Sequence, residues 1–145
     1  MIFSTTICIS KQDCFKHIDI PFMVDEDYSR LIIKYSYTPK KYDGEDGYLQ
    51  ALSAFKDIYG EHTVSESDVN SELPLNNHIT LSFSKGDELI GTAHRHSNDM
   101  VLEMGMNPTV GFYPTRIDRG SYTITLSCHA VLSEKIVARI EVYGQ

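Results

Sequence analysis

The residues most able to do chemistry are His94 and His96, which stand two positions apart in a polar stretch. In an extended segment, residues i and i+2 point to the same side with Cα atoms roughly 6.5 Å apart, so both imidazoles could bind one metal ion. Such a site needs a third and often a fourth ligand, which His129, His78 or Asp99 could supply in three dimensions. Because two histidines without a spaced partner are a weak signal, a polar loop with hydrogen-bonded histidines is favoured. His94, His96 and His129 are kept as the candidate metal ligands.

Nucleophilic catalysis is not indicated. Cys128 and His129 are neighbours in the sequence, so in a strand they project to opposite faces and cannot form a dyad. The sequence contains neither a Gly-x-Ser-x-Gly elbow nor a glycine-rich phosphate loop. Carboxylate pairs such as Asp25 and Asp27 occur in turn-like stretches, where a solvated surface is expected. The sequence therefore predicts no catalytic residue, no enzymatic activity and no cofactor.

The aromatic residues suggest an alternative, because the chain has nine tyrosines and no tryptophan. Several of them could line a shallow face, as in carbohydrate-binding sandwiches: Tyr35, Tyr37, Tyr42, Tyr48, Tyr59, Phe112 and Tyr113. Packing in the core or at its rim is the commoner role of such residues. Binding of a small ligand or a carbohydrate stays an alternative function, with Arg95, Phe112 and Tyr113 as candidate contact residues.

The composition limits the class of protein. A chain of 145 residues fits a single domain, here residues 1–145, and 41% hydrophobic with 23% charged residues is ordinary for a soluble globular protein. The net charge of −7 argues against nucleic acid or an anionic membrane as a partner. No apolar run reaches membrane-spanning length, and the N-terminus lacks the basic region of a signal peptide. Cys8, Cys14 and Cys128 are expected to be reduced and mostly buried, which favours a cytoplasmic location.

Period-2 alternation dominates the chain and predicts β-strands with one face on a core. It is clearest near the C-terminus, where two rows of inward residues are expected: Tyr122, Ile124, Leu126 and Cys128, then Ile136, Ala138, Ile140 and Val142. Further strands are expected at residues 2–9, 15–24, 29–38, 78–84, 88–91 and 99–104. The sequence thus predicts an all-β, antiparallel, jelly-roll-like sandwich of about seven to nine strands.

One segment changes period. Tyr48, Leu52, Phe55 and Tyr59 recur at steps of four, three and four, which predicts an amphipathic helix over residues 45–59 that ends at Gly60. A lone helix in a β-rich chain is expected to plug an open end of the sandwich or to cover an edge. A partner-binding helix is the alternative. Residues 61–77 are expected to form a surface loop.

The chain also resembles a known module. The run HITLSFSKGDELIGTAHRHSND is similar to the strand, turn and "rGaghRHgn" segment of a β-sandwich that precedes the catalytic domain in some PHP-superfamily metallohydrolases of the CehA/McbA kind. Residues 108–114 are similar to its "aTPGYiPG" segment, residues 119–124 to its "pGeWtv" strand start, and HIDIPFMVDEDYSRLIIKYSY to its opening. Tyr122 stands in place of the module's usual Trp, and Val110 interrupts the Pro-Gly-Tyr segment. The Gly-Asp-Leu-His-x-His metal motif of the catalytic domain does not occur in this sequence.

The resemblance implies an accessory sandwich fold and gives no ground for hydrolase activity in this chain. The expected function is therefore a non-catalytic accessory or interaction module. It would associate with itself, for example as a homodimer through an exposed sheet edge, or with a separate metallohydrolase subunit. Small-ligand binding and metal binding by His94 and His96 are the alternatives.

Overall fold

The computed structural model describes residues 1–42, 44–60, 65–71, 73, 75–93 and 99–145. Its strands are β1 (Phe3–Ile9), β2 (His17–Val24), β3 (Arg30–Thr38), β4 (Lys41–Tyr42), β5 (Leu75–Asn76), β6 (His78–Lys85), β7 (Glu88–Ala93), β8 (Asp99–Gly105), β9 (Gly120–Ala130) and β10 (Ile136–Gly144). Its helices are α1 (Gly47–Tyr59) and α2 (Glu66–Ser71), besides a short 3-10 turn at Lys11–Asp13.

The eight long strands form two four-stranded antiparallel sheets. The front sheet has the order β1-β10-β3-β8 and the back sheet has the order β2-β9-β6-β7, while β4 and β5 pair with each other outside both. When the eight long strands are counted alone along the chain, these orders become 1-8-3-6 and 2-7-4-5. This is the arrangement of a jelly roll, in which strands that follow each other in the chain lie in different sheets, apart from the hairpin β6–β7 within the back sheet. The predicted all-β jelly-roll sandwich is confirmed.

The core lies between the sheets and is built from the alternating rows that the sequence predicts. In β3, Leu31, Ile33, Tyr35 and Tyr37 are all buried, and the intervening residues are not. Both C-terminal rows are buried as expected, in β9 and in β10. Cys128 belongs to this core, whereas Cys8 is exposed, because it occupies an outward position in β1. The expectation that the cysteines are mostly buried is therefore wrong for Cys8.

The edge of β7 is partly covered by the connection between β8 and β9. The backbone N–H of Tyr113 donates to the Ile90 carbonyl at 2.9 Å, and the N–H of Thr92 donates to the Gly111 carbonyl at 3.3 Å. Gly91 permits this approach, since a Cβ atom there would lie only 2.7 Å from the Cα atom of Phe112. A covered edge is less available for pairing with another chain.

Asn77 joins the two sheets at one end of the sandwich. Its side chain donates to the Ser133 hydroxyl at 2.8 Å and to the Pro39 carbonyl at 3.1 Å, and it accepts from the backbone N–H of Leu132 at 2.8 Å. Its backbone carbonyl accepts from the hydroxyl of Tyr37, which belongs to the front sheet. Asn77 is 3% exposed, so these partners replace the water that its amide would otherwise bind.

The helical part differs from the prediction of one helix and a long loop. Helix α1 is where the sequence predicts it, but α2 forms within the segment expected to be a loop. A reciprocal cap explains α2: the Ser65 hydroxyl accepts from the Asp68 N–H, and the Asp68 carboxylate accepts from the Ser65 N–H. Helix α1 makes its main contacts with α2. Neither helix of the described chain combines the length and apolar character needed to cross a bilayer.

Candidate functional site

Of the three candidate metal ligands, His129 alone lies among the described residues. His94 and His96, together with Arg95, lie outside the described residues. His129 projects from β9 onto the outer face of the back sheet, where its Nε2 atom lies 2.9 Å from the Thr80 hydroxyl. Within the described ranges, no group of three or more His, Cys, Asp or Glu side chains is arranged to hold a metal ion.

The aromatic candidates do not share one face. Tyr35 and Tyr37 lie in the core, and their hydroxyls donate to the carbonyls of Ile79 and Asn77, each at 3.1 Å. Phe112 is also part of the core and is 8% exposed, whereas its neighbour Tyr113 is 73% exposed. Of the two aromatic contact candidates, only Tyr113 presents its ring to solvent.

The outer face of the back sheet, here called the histidine–hydroxyl face, carries polar side chains that bond to one another. The His17 ring contacts the Ser127 hydroxyl at 2.8 Å. Three further side-chain contacts continue this pattern: His129 with Thr80 at 2.9 Å, Ser82 with Thr92 at 2.9 Å, and Thr125 donating to Asp19 at 2.7 Å. The register that pairs β2 with β9 and β9 with β6 brings these side chains side by side. Most polar groups on this face are therefore supplied with partners from the protein itself.

The two histidines at one end of this face influence each other. The rings of His78 and His129 lie 5.0 Å apart between centroids. Burial lowers the pKa of His78, and the neighbouring His129 lowers it further. The neutral form of His78 is thus favoured in the folded chain.

The outer face of the front sheet contains a different kind of site, here called the front groove. Its volume is about 440 Å³, and its walls are Ser36, Tyr37, Thr38, Lys40, Asp99, Val137 and Arg139. Three of these residues form one row across the sheet, because Ser36 of β3 pairs with Arg139 of β10 on one side and with Asp99 of β8 on the other. The groove therefore has a cation on one flank and an anion on the other.

Lys40 adds a second cation, for which no ion pair is found in the described part of the chain. Its Nζ atom is buried, lies 3.5 Å from the centroid of the Tyr37 ring, and has no hydrogen-bond partner among the described residues. Burial lowers the pKa of the Lys40 amine, and the negative charge of Asp99 opposes this shift in part. The guanidinium of Arg139 is exposed, and no ion pair with it is found in the described part of the chain.

Sequence reasoning missed this groove. Lys40 belongs to the only adjacent pair of basic residues in the sequence, and Arg139 occupies an outward position of a predicted strand. Each residue could therefore be recognised as an exposed cation, but not their proximity to each other. What brings them to Asp99 is the order β10-β3-β8, which joins strands that are far apart in the sequence. Alternation shows which face of a strand is buried, but it does not show the order of the strands in a sheet.

Helix α1 presents an apolar surface away from the sandwich. Leu49 is 65% exposed, Ile58 is 73% exposed and Tyr59 is 61% exposed. Ile58 and Tyr59 border a shallow hollow of about 290 Å³, which is lined by Ala51, Ala54, Phe55, Ile58, Tyr59 and Leu75. Leu49 lies on the opposite side of the helix, since residues nine positions apart are about 180° apart around a helix axis. This surface is the largest departure from the polar exterior expected of a helix that only covers a sheet.

Comparison with known proteins does not identify a family. No protein-family model matches the chain, and no curated protein matches it. Among solved structures, it is similar to a crystal structure of GEBA250068378 from Sulfurospirillum deleyianum, with 14% identity over 99% of this chain and 98% of that one and a TM-score of 0.38. A likeness at that TM-score carries no argument about the function of this chain.

Proposed function

We propose that this chain is a non-catalytic β-sandwich interaction module that associates with a second copy of itself through α1. The observation that supports this proposal is the apolar surface around Ile58 and Tyr59 of α1, which are each more than 60% exposed and line an apolar hollow together with Phe55. Burying such side chains against a partner gains roughly 25 cal/mol for each Å² of apolar surface removed from water.

Charge favours a second copy as the partner. The chain as a whole carries −7, so two copies repel each other across most of their surfaces. Helix α1 is an exception, because Lys56 and Asp57 are its only charged residues and cancel each other. Two identical α1 surfaces can therefore meet about a two-fold axis without charge repulsion.

A separate metallohydrolase subunit is the alternative partner. It is supported by the resemblance of this chain to the accessory sandwich of CehA/McbA-type enzymes. That resemblance does not involve α1, so it gives no reason for the apolar helix surface. Self-association is therefore the proposal, and association with a hydrolase is the competing outcome.

Light scattering on a size-exclusion column, over a concentration series of the pure chain, tests the proposal. The wild-type chain is expected to form a dimer, and Ile58→Lys is expected to weaken dimerisation at least tenfold, because it places two charges in the buried interface. Leu89→Lys is the matched control, since Leu89 is 59% exposed but lies in β7 of the sandwich. A wild-type monomer at every concentration would overturn self-association, and so would equal weakening by both variants.

A further inference from the structure

We infer that Phe15 of one copy inserts into the apolar hollow beside α1 of the second copy, and that the dimer makes this contact twice, once in each direction. The hollow is the one that Ile58 and Tyr59 border. This inference rests on the proposed self-association and names the side chain that the partner copy contributes to the interface.

Phe15 is an exposed aromatic residue in a backbone conformation that favours glycine. Its φ angle is 67°, and its side chain is 85% exposed. A bulky residue rarely adopts this left-handed region, because its Cβ atom crowds the backbone there. Glycine or asparagine would suit the turn better, and the ring is not part of the core. Since backbone strain of this kind clusters at functional sites, the aromatic ring itself is the feature to explain.

The backbone holds Phe15 firmly in place. Its N–H donates to the carbonyl of Cys128 at 2.7 Å, and the N–H of Cys128 donates to the carbonyl of Lys16 at 3.0 Å. Two consecutive residues therefore oppose one residue of β9, which is a β-bulge. The N–H of Lys16 also donates to the carbonyl of Asp13 at 2.9 Å. Because the backbone is already fixed, little freedom is lost when the ring enters a pocket of a partner.

The bulge and α1 follow strands that end on the same side of the sandwich. Ile9, the last residue of β1, pairs with Ile136 of β10. The next residue of β10, Val137, pairs with Thr38, the last residue of β3. The chain runs from Ile9 into the segment that carries Phe15, and from Thr38 towards β4 and α1. One two-fold interface on this side can therefore include the aromatic ring and the hollow of both copies.

The hollow suits a single side chain. Its volume of about 290 Å³ lies just below the roughly 300–1,000 Å³ of sites for small molecules. Its lining includes the rings of Phe55 and Tyr59, whose centroids lie 5.8 Å apart, so an entering phenyl ring meets two aromatic partners. Aromatic anchors that fill a pocket contribute most of the binding energy at many protein interfaces.

The charges around the ring and around the hollow are of opposite sign. Residues 10–17 contain two lysines and one aspartate, and Lys16, next to Phe15, is exposed. Helices α1 and α2, which pack on each other, carry one cation and three anions: Lys56, Asp57, Glu66 and Asp68. Inserting Phe15 thus brings a positive segment towards a negative pair of helices, although the whole chain carries −7. This complementarity favours a second copy as the occupant.

Light scattering on a size-exclusion column measures the effect of removing the aromatic ring. Phe15→Asn should weaken dimerisation at least about thirtyfold, because each dimer loses two anchors. Met23→Thr is the matched control and should leave dimerisation unchanged, since Met23 is 59% exposed but lies at the far end of β2. Asparagine tolerates the left-handed region, so Phe15→Asn should unfold at the same urea concentration as the wild type or higher. That comparison is made at a concentration at which both chains are monomeric.

A mixture of two variants tests whether Phe15 and the hollow meet each other. Phe15→Asn lacks the anchor and keeps the hollow, whereas Ile58→Lys keeps the anchor and disrupts the hollow. In an equimolar mixture, native mass spectrometry separates the two homodimers from the heterodimer by mass. The heterodimer keeps one complete contact and each homodimer keeps none, so it should make up about four-fifths of the dimers. Random pairing would give about one half.

Three results would overturn the inference. The first is a dimer that Ile58→Lys weakens and Phe15→Asn does not. The second is a heterodimer share of one half or less, or no heterodimer at a concentration at which the wild type is dimeric. The third is a marked loss of monomer stability in Phe15→Asn, which would mean that the ring packs within its own chain. All three leave self-association through α1 possible, whereas a wild-type monomer at every concentration would overturn both proposals.

Discussion

The histidine–hydroxyl face and the front groove differ in how their polar side chains are paired. On the histidine–hydroxyl face, neighbouring strands supply each other with partners, as between His129 and Thr80 or Ser82 and Thr92. In the front groove, Lys40 has no hydrogen-bond partner and Arg139 no ion-pair partner within the described chain. Buried polar groups are satisfied by such partners, whereas a buried charge without a hydrogen-bond partner costs free energy.

The same contrast occurs between Lys40 and Asn77, two residues that are joined by a hydrogen bond. The backbone N–H of Asn77 donates to the carbonyl of Lys40 at 2.8 Å, so the two residues are directly joined. Asn77 satisfies its buried amide completely, and Lys40 leaves its buried amine unsatisfied. If the distinction is real, substitutions at these neighbouring positions should have opposite consequences for stability.

The largest effect is expected for Asn77→Ala. The substitution leaves the backbone N–H groups of Leu132 and Ser133 without their acceptor and removes the bond to Pro39. The free energy of unfolding should fall by about 2–3 kcal/mol, since each buried unsatisfied group costs about 1–3 kcal/mol. Urea unfolding monitored by circular dichroism measures this change.

Asn70→Ala is the matched control for that substitution. Asn70 is exposed and lies in α2, so its replacement should change the free energy of unfolding by less than about 0.5 kcal/mol. Equal effects of the two variants would show that the bonds of Asn77 add nothing to the connection between the sheets.

The sheets were predictable from the sequence because alternation reports directly on burial. Every second residue of β3 and β10 was assigned to the correct face. Even the exposed position of Cys8 follows from the pattern, since its neighbours Ile7 and Ile9 occupy the inward row. The general hydrophobicity of cysteine misled the prediction there, and the alternation was the better guide.

Helix α2 and the front groove were harder to predict from the sequence, for different physical reasons. Helix α2 has only six residues, and Val69 is its only buried apolar side chain, so no periodic stripe could form. Its capping signal, Ser65 followed three residues later by Asp68, was the readable clue. The groove depends on the register that aligns Arg139, Ser36 and Asp99, and such long-range pairing has no local signature.

A smaller effect is expected from pH on the histidine–hydroxyl face. The pKa of His78 is lowered in the folded chain by burial and by His129, whereas in the unfolded chain it lies near 6.5. Between these two values the unfolded state binds more protons, so the free energy of unfolding should fall as the pH drops below about 6.5. Above that pH the contribution of His78 is fully retained.

Two variants isolate this contribution in urea unfolding measured between pH 7.5 and pH 5. His78→Gln should remove part of the loss of stability at acid pH, because it removes the titrating group. His129→Gln should reduce the same loss by a smaller amount, because it removes only the neighbouring ring. If His78→Gln leaves the pH dependence unchanged, the pKa of His78 is not lowered in the folded chain; if only His129→Gln has no effect, burial alone lowers it.

The smallest effect is expected for Lys40→Met, and its sign separates the groove from the rest of the surface. Because burial lowers the pKa of Lys40, the unfolded state binds its proton more tightly, so the charged amine reduces stability at neutral pH. Its contact with the Tyr37 ring offsets part of that cost. The variant should therefore be as stable as the wild type or more stable, by at most about 1 kcal/mol at pH 7.

The difference between Lys40→Met and the wild type should shrink as the pH rises through the lowered pKa of Lys40 and should vanish above about 10.5, where the amine becomes neutral in both states. Lys16→Met, at an exposed position, should show neither the gain nor its dependence on pH. Destabilisation by Lys40→Met of the size expected for Asn77→Ala would mean that the fold requires the ammonium. In that case Lys40 would be satisfied by the protein as Asn77 is, and the contrast between the two residues would disappear.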